Sequence, residues 1–567
     1  MLLSNMELLA TAPGGVAKLR ELILTLAVQG KLVPQDPADE PAGVLLQKIR
    51  AEKDRLIAEG KIKRDKQLAE IAEGEKPFGL PLGWAWTSLA TIGVINPRND
   101  APDDTLASFV QMSSIPAEFS AAHVSEPRPW KDIKSGFTQF AEGDVGVAKI
   151  TPCFENGKST VFQNLCNGIG AGTTELHIVR PLSGIERRYV LLFVKTPAFL
   201  KEGEAVMTGS AGQKRLPRSY FECTPFPLPP LAEQSRIVTR VEALMRLCDA
   251  LEAKGQLEAT QHAQLVSTLL GTLTASTTPE ELAENWQRVA QHFDLLLDRP
   301  EAIDALEQTL LQLAVRGLLV PQDPTDEPAS ALLQKIRAEK DRLIATGQIK
   351  QSKPLPLITD EEKPFELPVG WEWVRINDLA EVQGGIQKTQ LRTPVKQHFP
   401  YLRVANVQRD ALRLDEIERF ELTMEELERW RLLAGDLLIV EGNGSAEEIG
   451  RCAVWNGAID PCVYQNHLIR VRCFQQDCMA FIKLFLNAPS GAEEMKRLAI
   501  TTSGLYNLSV GKIRNYAVPM PPLAEQSRIV TCVTALRRLC ADLRQRLAER
   551  EAVQAHLAEA LVDSLAA

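Results

Sequence analysis

The sequence predicts an α+β protein. Two compact α+β regions are separated by long repeated helices, which form an antiparallel coiled-coil-like scaffold with pseudo-two-fold symmetry. Three observations predict this. "LVPQDPADEPAGVLLQKIRAEKDRLIAEGKIK", from Leu32, returns from Leu319 as "LVPQDPTDEPASALLQKIRAEKDRLIATGQIK", and "EKPFGLPLGWAW" (75–86) returns as "EKPFELPVGWEW" (362–373). "PPLAEQSRIVT" stands at 229–239 and again at 521–531. The stretches between the copies are rich in short, β-branched, turn-bounded segments and show no convincing mutual similarity beyond their edges. The first two repeats are offset by 287 residues and the third by 292, so five extra residues fall between Trp373 and Pro521. Such a period is far longer than the roughly 20–50 residues of solenoid units. The resulting order is an N-terminal helical scaffold (1–86), a variable region (87–228), a central helical scaffold (229–373), a second variable region (374–520) and a C-terminal scaffold helix (521–567).

Each element follows from local sequence. "VAKLRELILTLAVQGKL" carries Leu19, Leu22, Leu24, Leu26 and Val28 over a helical length, with Gly30 as a stop, and "IDALEQTLLQLAVRGLL" ends at Gly317 in the same register. "VPQDPADEPA" reads as a proline-punctuated turn in which Asp39 and Glu40 cap and charge a helix entered through Pro41. That helix sets Leu45, Ile49, Leu56 and Ile57 against a charged face and stops at Gly60. "PLPP" cannot continue a ladder, so it closes the variable region. The chain then restarts as helix, with Glu233 or Glu525 in the first turn.

Apolar residues recur from there as a seam: Ile237, Val241, Leu244, Leu247 or Cys248, and Leu251, then Ile529, Val533, Leu536, Leu539 or Cys540, Leu543 and Leu547. Two copies of one seam invite antiparallel pairing with each other. In the variable regions "GDVGVAKITPCF", "TTELHIVRP", "GDLLIVEGNG", "GRCAVW" and "NHLIRVRCF" read as strands. "IERRYVLLFVKTPAFLKEG" and "DCMAFIKLFLNAPSGAEEMKRLA" read as helical stretches.

Composition is that of an ordinary globular protein: 567 residues, 45% apolar and 24% charged. No apolar run reaches the length of a membrane span, and the opening "MLLSNMELLATAPGG" lacks a signal-peptide pattern, so a cytoplasmic location is expected. The net charge is −9, yet each variable region is neutral, with 14 basic and 14 acidic residues in 88–227 and 18 of each in 374–522. The scaffold therefore carries the whole imbalance. Any nucleic-acid contact must come from locally placed basic side chains or be shared with a more basic partner. Ten cysteines without a CxxC pair suit reduced thiols. Cys462, His467, Cys473 and Cys478 lie close in sequence, but their spacing fits no zinc motif and their segment alternates as a strand does, so buried or edge cysteines are expected.

Catalytic motifs fail on inspection. "NGKST" at 156–160 imitates the end of a phosphate loop, but Pro152 stands where its first glycine belongs. "GIGAGTT" at 168–174 reads as a loop between strands rather than a cofactor cradle. "NPRND" starts like the motif with which amino-methyltransferases hold a flipped adenine, but Arg98 and Asn99 replace the proline and the stacking ring. No nucleophile elbow, zincin motif or paired catalytic acids are evident. Neither a catalytic residue nor a resident metal or cofactor is expected.

The duplicated "LVPQDP.DEPA" block, "PLPPLAEQSRIV" and "MPPLAEQSRIV", the paired "GW.W" segments, "ITPCFENGKS" and "GTTELHIVRP" together resemble the specificity subunits of type I restriction-modification enzymes, over essentially the whole chain. The resemblance implies that each variable region is a target-recognition domain reading one half of a split, asymmetric site in double-stranded DNA. It implies scaffold helices that set the spacing and dock two adenine-methylating modification subunits, which restriction/translocase subunits can join. S-adenosylmethionine, ATP and Mg would belong to those partners, and no membrane is involved. Equal scaffolds suit two identical partners, and unlike readers suit an asymmetric site. A helix from Leu231 to about Leu251 would span roughly 30 Å, close to the roughly 34 Å turn of B-DNA, and so could act as a ruler.

Loops rich in donors are the expected groove contacts. In the first region these are Asn156, Lys158 and Ser159, Thr173 and Thr174, and Thr208, Ser210, Gln213, Lys214 and Arg215. In the second they are Gln387 and Lys388, Arg403 and Asn406, Asn443 and Ser445, Gln465, Asn466 and His467, and Ser503, Tyr506 and Asn507. The bland reading of each is a solvated turn residue. Two other classes of function compete: a self-contained DNA methyltransferase or endonuclease, which would bind S-adenosylmethionine alone, and a coiled-coil interaction protein, which would show no salt-sensitive binding to a split DNA sequence.

Overall fold

The computed structural model describes residues 6–62, 71–210, 212–276, 278–442, 448–499 and 507–566. These form two compact units, Met1–Ala259 with Arg550–Ala567, and Thr260–Glu549.

In the first unit, α1 (Gly15–Val28) and α2 (Ala42–Ala58) are the repeated helices. Gly30 ends α1 at φ 70°, and a Cβ there would lie 2.4 Å from the Pro81 ring, so both conformation and crowding require glycine. Asp39 and Glu40 depart from their expected capping role, since α2 has no side-chain cap. Asp39 instead binds Arg236, and Glu40 binds Lys48 at 2.7 Å. Long guanidinium and ammonium groups within reach outcompete the amides for these carboxylates.

Strand β1 (Ala85–Ser88) pairs antiparallel with β10 (Pro225–Leu228), bringing together the two ends of the first variable region. Prolines 225 and 227 are tolerated because this ladder has only two strands. Between them run β2 (Gly93–Ile95), β3 (Leu106–Val110), β4 (Glu126–Pro129), β5 (Thr138–Ala141), β6 (Val145–Ala148), β7 (Ser159–Val161), β8 (Ile169–Gly172) and β9 (Leu176–Pro181). They form an inner sheet ordered β2-β9-β6-β7 and an outer sheet ordered β4-β3-β8-β5.

The glycine run at 168–174 is therefore strand β8 and not the expected loop. A Cβ on Gly170 would sit 2.4 Å from the Phe140 ring, so the glycines admit a stacked Phe140–Phe162 pair. Helices α3 (Arg187–Val194) and α4 (Pro197–Val206) divide at Thr196, whose hydroxyl caps the second, and α5 (Arg218–Cys223) precedes β10.

Helix α6 (Leu231–Ala275) is continuous over 45 residues. It therefore runs well past Leu251, giving about 67 Å at about 1.5 Å per residue, because Gly255 costs only about 1 kcal/mol in a helix interior. Its early seam residues Ile237, Val241 and Cys248, with Leu244 half-buried, pack together with the neighbouring Met245 into one core with Leu19 and Ile23 of α1, Ile49 of α2, and Tyr189, Val190 and Phe226 of the variable region. Scaffold and variable region thus share a core. Ala558 from the far end of the chain is fully buried in the same cluster.

The second unit contains α7 (Pro279–Gln291), α8 (Pro300–Val315) and α9 (Ala329–Ala345), then β11 (Glu372–Arg375), β12 (Ala380–Gly384), β13 (His398–Leu402), β14 (Val407–Gln408), β15 (Ala411–Leu412), β16 (Glu418–Glu421), β17 (Leu437–Val440), β18 (Cys452–Val454), β19 (Val463–Tyr464) and β20 (Leu468–Cys473). Helices α10 (Met479–Asn487), α11 (Pro489–Ala499) and α12 (Val510–Asn515), strand β21 (Ala517–Met520) and the long α13 (Leu523–Ala566) follow. β11 pairs with β21, the inner sheet is β12-β20-β17-β18, and the outer is β16-β13-β19 with a β14-β15 hairpin.

The inner sheets of the two variable regions match strand for strand. Val145 faces Val179 where Leu437 faces Val471, and buried Asp144 binds Arg180 where buried Asp436 binds Arg472. Gly93 opposite Pro181 likewise matches Ala380 opposite Cys473. The offset is thus 287 at β2/β12 and 292 at β6/β17, which narrows the five extra residues to the outer part of the second region.

The expectation that the two seams pair with each other needs correction. Ile529 and Val533 enter the core of the second variable region. Leu536, Cys540, Leu543 and Leu547 pack with Val266, Leu270 and Leu273 of α6 and with Ile303 and Leu306 of α8. Early α6 thus shares a core with late α13, and late α6 shares one with earlier α13. Leu247 and Leu539 are exposed, so Cys248 and Cys540 hold their seam positions. The seam openings instead floor the variable regions, where large apolar cores are available to bury them.

Candidate nucleic-acid interface

In the first variable region three loops are stitched together at one end of the inner sheet. The Lys149 amide donates to the Glu175 carbonyl at 2.9 Å, the Leu216 amide to Lys149 at 2.7 Å and the Thr151 amide to Lys214 at 3.0 Å, while Thr208 and Arg215 exchange backbone bonds at 3.1 and 2.8 Å. On this base Asn156, Thr174, Thr208, Ser210, Gln213, Lys214 and Arg215 are exposed and Thr173 is half-buried. Arg215 binds the Glu175 carboxylate with two nitrogens at 2.9–3.2 Å and holds that carboxyl below its usual range. Lys214 has no side-chain partner among the described residues.

Lys158 turns toward the Met112 carbonyl at 3.0 Å. Ser159 departs from expectation. It is only 1% exposed and donates to the Gly157 carbonyl, on a strand whose residues are buried on both faces.

Two buried side chains that sequence reasoning passed over hold these loops. The His177 Nε2 lies 3.0 Å from the Leu216 carbonyl, and burial drives the imidazole pKa down to about 4. Lys195 donates to the carbonyls of Ala117 at 2.7 Å and Gly157 at 2.9 Å, and burial lowers its ammonium to about 7. Nothing in one strand histidine or one lysine at a helix end marks such a role, because the partners are carbonyls of distant loops.

The second region repeats the design. A bridge between Gly442 and Asn507 stands where Ile150 and Arg215 bridge in the first, and Gln465–His467 fall where Thr173–Glu175 fall. The Glu441 amide donates to His467 at 2.9 Å and the Leu508 amide to Glu441 at 2.8 Å. The segment after β12 joins them: the Ile386 amide donates to Tyr464, the Asn466 amide to Ile386 and the Gln465 amide to Leu402, at 2.9–3.0 Å. Gly385 is fixed by this approach, since a Cβ would lie 2.2 Å from the Gln465 carbonyl oxygen. Gln387, Lys388, His467 and Asn507 are exposed, and Gln465, Asn466 and Arg403 are half-buried. Asn443, Ser445, Ser503 and Tyr506 lie outside the described residues.

Asn406 is a correction. It is 3% exposed, accepts from the Arg403 amide and donates to the carbonyls of Arg413 and Glu416, so its amide is consumed in shaping its own turn. Beside it lies a carboxylate that sequence reasoning missed. Glu418 accepts from the Tyr401 hydroxyl, from Lys388 at 3.0 Å and from Arg403 at 2.7 Å. These bonds hold its carboxyl below the usual range, that of Tyr401 contributing most. In sequence Glu418 sits within "DEIERFE" and reads as one more solvated charge.

The arrangement offers hydroxyl, amide and cationic donors on a rigid base, the chemistry of phosphate and base-edge contacts. The residues of "NPRND" are engaged structurally: Asn96 accepts from the Ile178 amide and Asn99 donates to the Phe140 carbonyl. Cys462, Cys473 and Cys478 are buried thiols, the first pushed up by burial to about 12 and the last to about 11. Among the described residues no group of three or more His, Cys, Asp or Glu side chains is gathered as a metal site would require, and no helix is long and apolar enough to cross a membrane.

Residues 368–550 match the family model of the type I restriction modification DNA specificity domain. The chain is 45% identical over 555 residues to the EcoAI specificity subunit of Escherichia coli, covering 97% of this chain and 94% of that one. It is 44% identical over 558 residues to the EcoEI specificity subunit, with the same coverage. The solved structure of the HsdS subunit from Thermoanaerobacter tengcongensis is 18% identical and aligns over 87% of this chain and 98% of that one, with a TM-score of 0.40. With two relatives this similar along nearly their full lengths, the chain belongs to the specificity subunits of type I restriction enzymes.

Proposed function

We propose that this chain is the non-catalytic DNA-reading subunit of a type I restriction-modification system, each variable region reading one half of a bipartite, asymmetric site. The observation that carries the proposal is the repetition of one inner sheet and one loop cluster in both regions, furnished with different side chains: Thr173–Thr174–Glu175 in the first, Gln465–Asn466–His467 in the second. One scaffold presenting two chemistries suits two unlike half-sites. The duplicated helices suit docking of two modification subunits, which would supply S-adenosylmethionine and adenine methylation. Restriction subunits that use ATP and Mg would join through them, in the cytoplasm. The neutral charge of both regions suits a subunit whose grip on DNA is completed by such partners.

Mapping N6-methyladenine across the host genome tests the proposal. One split, asymmetric motif should be methylated and should vanish when this chain is deleted. Methylation that persists unchanged without the chain, or a palindromic motif, would overturn it.

A further inference from the structure

We infer that Glu418 sets the specificity of the second reader, by holding Lys388 and Arg403 in the geometry of a base-pair edge and away from indiscriminate phosphate contact. The inference rests on the DNA-reading assignment above and names what part of that reader meets the bases.

Glu418 opens the edge strand β16, directly opposite Tyr401 of β13. Its single carboxylate takes a phenol and two cations. Tyr401 is buried and its ring stacks on Phe420, so the anchor is stiff. The Lys388 and Glu418 side chains remain 58% and 41% exposed, so the cluster lies at the surface with its charges held in place. Arg403 follows Leu402, whose carbonyl accepts from the Gln465 amide, which places the cluster beside the loop read above as a groove contact.

A phosphate oxygen offers only acceptors, and a fixed carboxylate repels it. A G·C edge in the major groove offers the guanine O6 and N7 acceptors beside the cytosine N4 amino donor. Two cationic donors flanking the Glu418 carboxylate, with the Glu416 carboxylate 3.6 Å from Arg403 adding to the repulsion, complement that edge better than a phosphate. The first reader differs here: Val463 matches Ala171, so Tyr401 matches Phe109, which has no hydroxyl to anchor a carboxylate, and Glu126 opposite Phe109 pairs with its strand neighbour Arg128 at 3.3 Å. The assignment therefore concerns one G·C pair of the second half-site only.

The test compares the wild-type chain and Glu418→Gln, each assembled with the modification subunits, on duplexes carrying single base-pair changes through both half-sites and on unrelated DNA. Glutamine keeps the shape and the acceptor for Tyr401. The expected result is a roughly ten-fold loss of discrimination at one G·C position of the second half-site. Binding to unrelated DNA should become tighter and more steeply salt-dependent, and discrimination throughout the first half-site should be unchanged. Wild-type-like discrimination in the variant, or equal loss at both half-sites, overturns the inference. A wild-type assembly that discriminates at neither half-site instead overturns the DNA-reading assignment beneath it.

Discussion

At the scale of single residues, the loops rest on buried polar groups whose protonation matters. His177 has a folded pKa near 4, below its unfolded value near 6.5, so its contribution to stability is present above pH 6.5 and is lost as pH falls through 4. The shift corresponds to about 3 kcal/mol. Thermal melts at pH 7.5 and 5 should therefore show a smaller acid loss for His177→Gln, whose amide can still donate to Leu216, than for the wild type. An equal loss in both would remove His177 from the account.

The exposed cations behave differently. Lys214→Ala with Arg215→Ala should weaken DNA binding and lower the slope of log affinity against log salt by about 1 to 2, measured by titration at several salt concentrations. The lower end is expected, because Arg215 already neutralises Glu175 in the free chain. Residue types were legible here as donors on loops. Which donors point outward was not: the Ser159 hydroxyl is taken by the nearby Gly157 carbonyl and the Asn406 amide by the Arg413 and Glu416 carbonyls, bonds that residue type alone does not select.

At the scale of elements, helices were legible from apolar spacing and from glycine stops, and most strands from β-branched runs. What local patterns missed was set by crowding: the glycine strand β8 exists because Phe140 and Phe162 stack across it. Likewise, the kinship of the inner sheets is faint in aligned letters, because valine, leucine and isoleucine interchange freely in a core and few identities survive, the Asp–Arg pair with Leu176/Leu468 and Val179/Val471 among them. The continuity of α6 through Gly255 bears on the spacing of the half-sites. Four residues inserted after Gly255 add about one turn, about 6 Å, and should lengthen the unread gap of the methylated motif by about one to two base pairs, with both half-sites unchanged. An unaltered gap would show that α6 does not set the spacing.

At the scale of the whole molecule, the repeats revealed two halves but could not reveal how the sequence is shared between compact units. The last stretch, Arg550–Ala567, belongs with the first 259 residues: Ala558 is fully buried among them, Leu561 and Val562 pack there, and Lys18 binds Glu559 at 3.1 Å. Removing residues 550–567 should destabilise the first unit by roughly 2–4 kcal/mol, at about 1.5–3 kcal/mol per fully buried apolar side chain. Hydrogen exchange should quicken in α1 and early α6 while the second unit keeps its protection. The same closure orders events on the ribosome. Translation at roughly 5–20 residues per second leaves the nascent first unit waiting on the order of 15–60 s for its final helical turns, long after its own reader has been made. During that interval an unfinished apolar face is open to chaperones, and one half of the protein matures only when the other has been fully translated.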